Sequence, residues 1–229
     1  MAANDRMNSA SSRLLPARRA SAGFTLIEIL VALVILLVGL LGLVGLQAKG
    51  QQAEMESYQR TQALVLLQDL ADRMNANRAG TRAMGYVVAP NAPVGGPGAL
   101  ADCAAIGLTT TAAKDLCMWG NLLRGAAEAA SSGSCTTTGT GNACAGAMIG
   151  ARGCVTYDGT DEIVDSSGAK IAGTGVFTLA IAWQGLAAGY TTPGSDNTKP
   201  LSCASGSYGN ESLRRVVTST IRLGSLGNY

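Results

Sequence analysis

Residues 23–50 read Gly23-Phe24-Thr25-Leu26-Ile27-Glu28-Ile29-Leu30-Val31-Ala32-Leu33-Val34-Ile35-Leu36-Leu37-Val38-Gly39-Leu40-Leu41-Gly42-Leu43-Val44-Gly45-Leu46-Gln47-Ala48-Lys49-Gly50. Phe24 to Leu46 is 23 residues. As a helix they span roughly 34 Å, enough to cross a hydrocarbon core of about 30 Å. Arg13, Arg18 and Arg19 precede the run and the first lysine after it is Lys49. That excess of basic residues orients the amino terminus to the cytoplasm and places everything beyond residue 50 outside it. A cleaved secretory signal has a shorter apolar region followed by a small-residue cleavage site. Here Gln47-Ala48-Lys49-Gly50 continues without a clear break.

The helical signal persists beyond the apolar run. Between Gln51 and Asn77 there is neither proline nor glycine, and Leu67, Leu70, Ala71 and Met74 recur at spacings of three and four. The pattern predicts one helix from Phe24 to about Asn77, about 80 Å long. Its first half is apolar all round and its second half amphipathic, as expected of a helix that leaves lipid and then packs one stripe on a globular domain. Asn77-Arg78-Ala79-Gly80 supplies the expected end, and no sustained heptad argues for a coiled-coil partner instead.

Glu28 is the only charge between Arg19 and Lys49. A carboxylate entering a membrane costs a few kcal/mol and calls for a partner. Gly23-Phe24-Thr25-Leu26-Ile27-Glu28 followed by a long apolar helix resembles the prepilin motif of type IV pilins and type II secretion pseudopilins. The resemblance implies that a membrane aspartyl peptidase, the prepilin peptidase, cuts after Gly23 on the cytoplasmic side and that the new amino-terminal Phe24 is N-methylated. It also implies that Glu28 pairs with the amino group of a neighbouring subunit during assembly, which would relieve most of its burial penalty. A signal anchor whose Glu28 only reaches the headgroups is the plainer alternative.

Within that family, the stretch Ile29–Ala48, together with Ile181-Ala182-Trp183-Gln184-Gly185 and Leu213-Arg214-Arg215-Val216-Val217-Thr218-Ser219-Thr220-Ile221, resembles PilV-type minor pilins. The resemblance covers about a third of the chain and leaves the middle unmatched. It implies a minor pilin that other minor and major pilins contact, held in the inner membrane before assembly and then placed at the pilus tip, where it primes assembly and supports a tip adhesin. Major pilins usually carry a proline midway along this helix. Here Gly39, Gly42 and Gly45 lie on nearly one helical face instead, as a weak point or a close-packing face.

Composition narrows the other possibilities. The 229 residues contain no histidine, which removes Ser-His-Asp and Cys-His catalysis and His-ligated metal sites. Walker A, G-x-S-x-G and Rossmann fingerprints are missing too. An enzyme is not expected, a signal-anchored periplasmic enzyme being the least favoured reading, and no cofactor is implied. Charged residues are 14% of the chain and glycine accounts for 30 positions. Arg6, Arg13, Arg18 and Arg19 against Asp5 concentrate the positive charge in the first 23 residues, so no nucleic-acid surface is expected.

The expected organisation is a basic leader over 1–23, a membrane and assembly half-helix over 24–50, an amphipathic half over 51–78 and an extracytoplasmic globular domain over 79–229. In that domain, Met84–Cys103 holds Pro90, Pro93 and Pro97 and reads as an irregular connection. Short helices are expected over Ala112–Trp119 and Asn121–Ala130, a Ser/Thr/Gly loop over Ser131–Gly146 and a strand over Ala151–Asp158. Val176–Trp183 alternates, with Phe177, Leu179, Ile181 and Trp183 on one face and Val176, Thr178, Ala180 and Ala182 on the other. Thr191–Asn210 reads as a long loop, and Leu213–Leu223 as a last strand with Leu213, Val217 and Ile221 inward. The fold class is α+β: the long amino-terminal helix against a small antiparallel sheet with disulfide-stapled loops.

Cys103, Cys117, Cys135, Cys144, Cys154 and Cys203 all fall on the extracytoplasmic side, where disulfides form. Six cysteines allow 15 pairings. Cys135 with Cys144 closes the Ser/Thr/Gly loop at low entropic cost, leaving Cys103 with Cys117 and Cys154 with Cys203 as a local arrangement. Without a Cys-x-x-Cys and with irregular spacing, metal binding is not expected. Asp158, Asp161, Glu162 and Asp165 offer oxygen ligands for calcium, but their spacing does not match an EF-hand loop, and a hairpin turn with solvated carboxylates is the expected reading. Arg214, Arg215 and Arg222 are expected as exposed edge charges. Trp183 is expected in the core, whereas Trp119 has no position the pattern fixes.

Overall fold

The computed structural model describes residues 23–98, 100–127, 148–189 and 200–224. The chain divides into two compact units, residues 1–48 and 49–229. Helix α1, Leu26–Ala76, begins in the first and ends in the second. In the first unit every described residue is exposed, and the helix is long and apolar enough to cross a membrane.

In the second unit α1 buries one stripe, Ala63, Leu66, Leu67, Leu70, Ala71 and Met74, at the three- and four-residue spacing the sequence shows. Asn77 ends the helix with a non-helical backbone, and its side chain accepts from Gly80 N at 3.2 Å to start the one-turn helix α2, Arg78–Arg82. The expected connection over Met84–Cys103 is less irregular than its prolines suggest. Strand β1, Val94–Gly95, pairs with β2, and Val88 bridges Val155. Gly95 there takes φ +88°, a region open to glycine, with Ala151 O and Leu123 too close for a Cβ.

The two helices expected over Ala112–Ala130 are one. Helix α3, Thr111–Leu123, is capped by Thr110, whose hydroxyl accepts from Ala113 N at 3.1 Å, and it runs straight through Gly120. That glycine is no breaker: α3 passes β1 there, with Gly95 N 3.4 Å from where its Cβ would stand. Ser131–Gly146 lies outside the described residues, as do residues 128–130.

Strands β2, Ile149–Asp158, β3, Val176–Gln184, and β4, Arg214–Arg222, complete a four-stranded antiparallel sheet in the order β1-β2-β3-β4. Phe177, Leu179, Ile181 and Trp183 do share one face, packed with the α1 stripe, Trp119, Leu123 and Val155. The opposite face is also covered. Cys154, Ala180 and Ala182 form a second cluster with Cys203 and Ala204, joined by Tyr208 and Val216. The segment read as a long loop over Thr191–Asn210 therefore lies, from 201 on, against the outer face of the sheet, with a 3₁₀ turn over Pro200–Ser202; residues 191–199 are outside the described part.

This cover overturns the reading of Arg214 as an exposed edge charge. Its side chain is 1% exposed, paired with Glu211 at 2.6 Å, and donates to Leu201 O at 2.6 Å. The even face of β4 is where the 201–208 segment packs, so the first residue of the strand is sealed beneath it. Arg215 is half-buried, and Arg222 alone of the three is exposed. Leu213 belongs to a 3₁₀ turn, Glu211–Leu213, ahead of the strand, while Val217 and Ile221 pack on the main core.

Candidate processing and assembly segment

Gly23, Phe24 and Thr25 precede the first helical residue, Leu26, and all three are exposed. Among the described residues nothing lies within 4 Å of a Cβ built on Gly23. Thr25 O accepts from Glu28 N at 3.1 Å and from Ile29 N at 3.3 Å, which starts the helix. Glu28 thus falls in the first turn, where the positive end of the helix dipole favours a carboxylate. The spacing Thr25-x-x-Glu28 is that of a capping box, but the Glu28 carboxylate makes no return bond to the Thr25 backbone. Among the described residues the Glu28 carboxylate has no hydrogen bond or ion pair, so its partner is not supplied from within them.

Gly39, Gly42 and Gly45 are equally open, with nothing within 4 Å of an added Cβ. No packing among the described residues requires them to be glycine. Phe24 is 79% exposed and the leucines, valines and isoleucines from Leu26 to Leu46 are all about half-exposed or more. Such a continuous apolar surface marks a segment whose solvent is lipid or other protein.

The other candidate residues lie in the second unit. Cys103 is bonded to Cys117, and Cys154 to Cys203. The first ties the 101–106 turns to α3, and the second ties the covering segment to β2. Cys135 and Cys144 lie outside the described residues. Asp158 and Asp165 serve turns between β2 and β3: Asp158 accepts from Thr160 N at 2.8 Å, and Asp165 from Ser167 N at 2.8 Å and Ala169 N at 3.0 Å. These hydrogen bonds, first of all from the Thr160 and Ser167 hydroxyls, lower both carboxyl pKa values. Glu162 accepts from Tyr157 and from Gly173 N at 3.0 Å, which lowers it as well, and Asp161 faces Arg222 at 3.7 Å. Among the described residues no three carboxylates or cysteines gather as a metal site.

Sequence reasoning missed a buried polar cluster where α1, the turn after α2 and α3 meet. The Tyr86 hydroxyl donates to Asp115, Asn77 Nδ2 donates to Tyr86 at 3.1 Å, and Arg73 reaches Asp69 at 2.9 Å and Asp115 at 3.5 Å. Burial first, then Asp115, pushes the Tyr86 phenol from 10.0 up to about 12. Buried polar groups are retained only when bonded, and this set is internally bonded. Its members are spread over 47 positions of sequence, from Asp69 to Asp115, with no local pattern to reveal them.

Residues 18–44 match the family model described as the prokaryotic N-terminal methylation motif. No curated protein and no solved structure matches the chain. A prepilin-like methylation motif ahead of a pilin-like α+β arrangement is the class these findings define. The motif implies processing by prepilin peptidase and contact with other pilins, and it points to a structural rather than an enzymatic role.

Proposed function

We propose that the chain is a minor pilin of a type IV pilus. The observation that carries this is Glu28: a single carboxylate in the first turn of an exposed apolar helix, five residues after Gly23 and inside the matched motif, with no partner among the described residues. The prepilin peptidase removes residues 1–23, Phe24 is methylated, and the protein waits in the inner membrane with its amino terminus cytoplasmic. During assembly Glu28 accepts the amino group of a neighbouring pilin, which neutralises two charges where lipid gives way to protein. The protein then sits in a tip complex with other minor pilins and supports an adhesin.

Intact-mass analysis of the membrane-purified protein tests the processing: the expected chain begins at a singly methylated Phe24, and Gly23→Val retains the leader. A mature chain beginning elsewhere removes the reading. Assembly is tested by deletion, with loss of piliation and the protein's presence in sheared pili expected. Loss of type II secretion with pili intact would assign the chain to a secretion pseudopilus instead.

A further inference from the structure

The sheet order leaves β4 at an edge. It pairs with β3 residue for residue, from Val176↔Arg222 to Gln184↔Arg214, with no register shift, and Gly185 N donates to Leu213 O at 2.7 Å one step further on. Bonded and non-bonded pairs alternate along an antiparallel ladder. The odd-numbered residues of β4 therefore exchange bonds with β3, while Val216, Thr218 and Thr220 turn their N–H and C=O groups outward. Among the described residues no backbone group takes them up. The strand has no proline or bulge to blunt it, and of its charged residues Arg214 is buried, Arg215 half-buried and only Arg222, at its far end, exposed.

Next to this edge, α1 and β4 frame a groove of about 360 Å³ whose lining includes Glu56, Arg60, Trp183, Arg215 and Val217. Glu56 is held by Arg215 at 3.5 Å and accepts from Ala187 N at 3.3 Å. The Arg60 guanidinium has no acidic partner among the described residues, so the groove carries one uncompensated positive charge.

We propose that β4 accepts one further β-strand, supplied in extended form by a different protein, whose residue opposite Val217 is acidic and enters the groove toward Arg60. Cross-strand neighbours share a face. Val217 packs on the α1 side of the sheet, so the residue opposite it points to that side, where the groove lies. Main-chain bonds to Val216, Thr218 and Thr220 supply affinity, and the groove supplies selectivity. A second copy of β4 is a poor donor: the strand carries no acidic residue, and antiparallel pairing about Thr218 sets Ser219, not a carboxylate, opposite Val217. The proposal does not rest on the pilin reading.

The test uses the full chain in detergent and two labelled nine-residue synthetic peptides of alternating threonine and valine, one with a central aspartate and one with a central lysine. The aspartate peptide is expected to bind about tenfold more tightly and to slow hydrogen exchange at the Val216, Thr218 and Thr220 amides. Thr218→Pro removes only an outward donor, which an edge tolerates, and is expected to abolish binding; Thr220→Pro serves if that variant melts early. Arg60→Glu is expected to invert the preference between peptides. The proposal is overturned if neither peptide binds, if the proline variants bind as before, or if Arg60→Glu leaves the preference unchanged. It is overturned equally if the protein alone dimerises with the same three amides protected, which assigns the edge to a second copy.

Discussion

The indole of Trp119 lies against Gly153 so closely that a Cβ on residue 153 would stand 2.1 Å from the ring carbon Cη2. A glycine inside a strand usually weakens it, and here it lets a helix side chain reach the sheet backbone. Trp119 is fully buried, and its Nε1 donates to Leu66 O at 2.8 Å. One tryptophan on α3 thus touches both the sheet and α1.

Gly153→Ala is accordingly expected to destabilise the fold by about 2–3 kcal/mol through overpacking. Trp119→Phe alone loses the bond to Leu66 and leaves a void. In combination, the phenyl ring stops short of the added methyl, so the double variant should lose less than the sum of the two. Urea titration of all three variants measures this; strict additivity would mean that the two residues do not compete for one space.

The two disulfides differ in reach, with sequence separations of 14 for Cys103–Cys117 and 49 for Cys154–Cys203. Chain entropy predicts about 3 and about 4 kcal/mol for loops of these sizes. Paired alanine substitutions should therefore lower the melting temperature more at Cys154 and Cys203, where the cover over the outer sheet face is also released. An equal loss at both sites would show that the native cover holds without its bond.

High pH offers an independent probe of the two clusters. Burial pushes both Tyr86 and Tyr208 from 10.0 up to about 12. A phenol raised in the folded state stabilises fully below its unfolded pKa, and that contribution is lost as pH rises through the folded one. Stability is thus expected to hold to about pH 10 and to fall between there and about pH 12. Absorbance at high pH should show Tyr86 and Tyr208 ionising last, and Tyr86→Phe or Tyr208→Phe should flatten the decline. Ionisation of all tyrosines together near the ordinary value would contradict it.

Glu28→Leu removes the one charge between Arg19 and Lys49. On the minor-pilin reading the variant is expressed, cleaved after Gly23 and stable in the membrane, yet depleted from sheared pili. Wild-type incorporation would remove the pairing role from Glu28 and leave recognition by the peptidase or methylase as its reason.

What was legible in the sequence was what is local. The alternation from Phe177 to Trp183 and the stripe from Leu66 to Met74 each record one element's inward face, and the motif from Gly23 to Glu28 is contiguous. Alternation cannot tell that the other face of β3 is covered as well, so Arg214 looked like an edge charge until the 201–208 segment was in place. Gly120 resembled a break because its tight neighbour, Gly95, is 25 positions away in sequence. Trp119 needed Gly153, and Tyr86 needed Asp115, partners that no periodicity announces.

The bond from Trp183 Nε1 to Gln59 Oε1, 3.1 Å long, joins residues 124 positions apart. Synthesis delivers them in that order, α1 first and β3 far later. At about 5–20 residues per second, the α1 stripe waits on the order of ten seconds before the strands that bury it exist. The sheet side of this core therefore closes late: until β3 is made, Leu66, Leu67, Leu70 and Met74 can meet only earlier core partners such as Trp119 and Leu123.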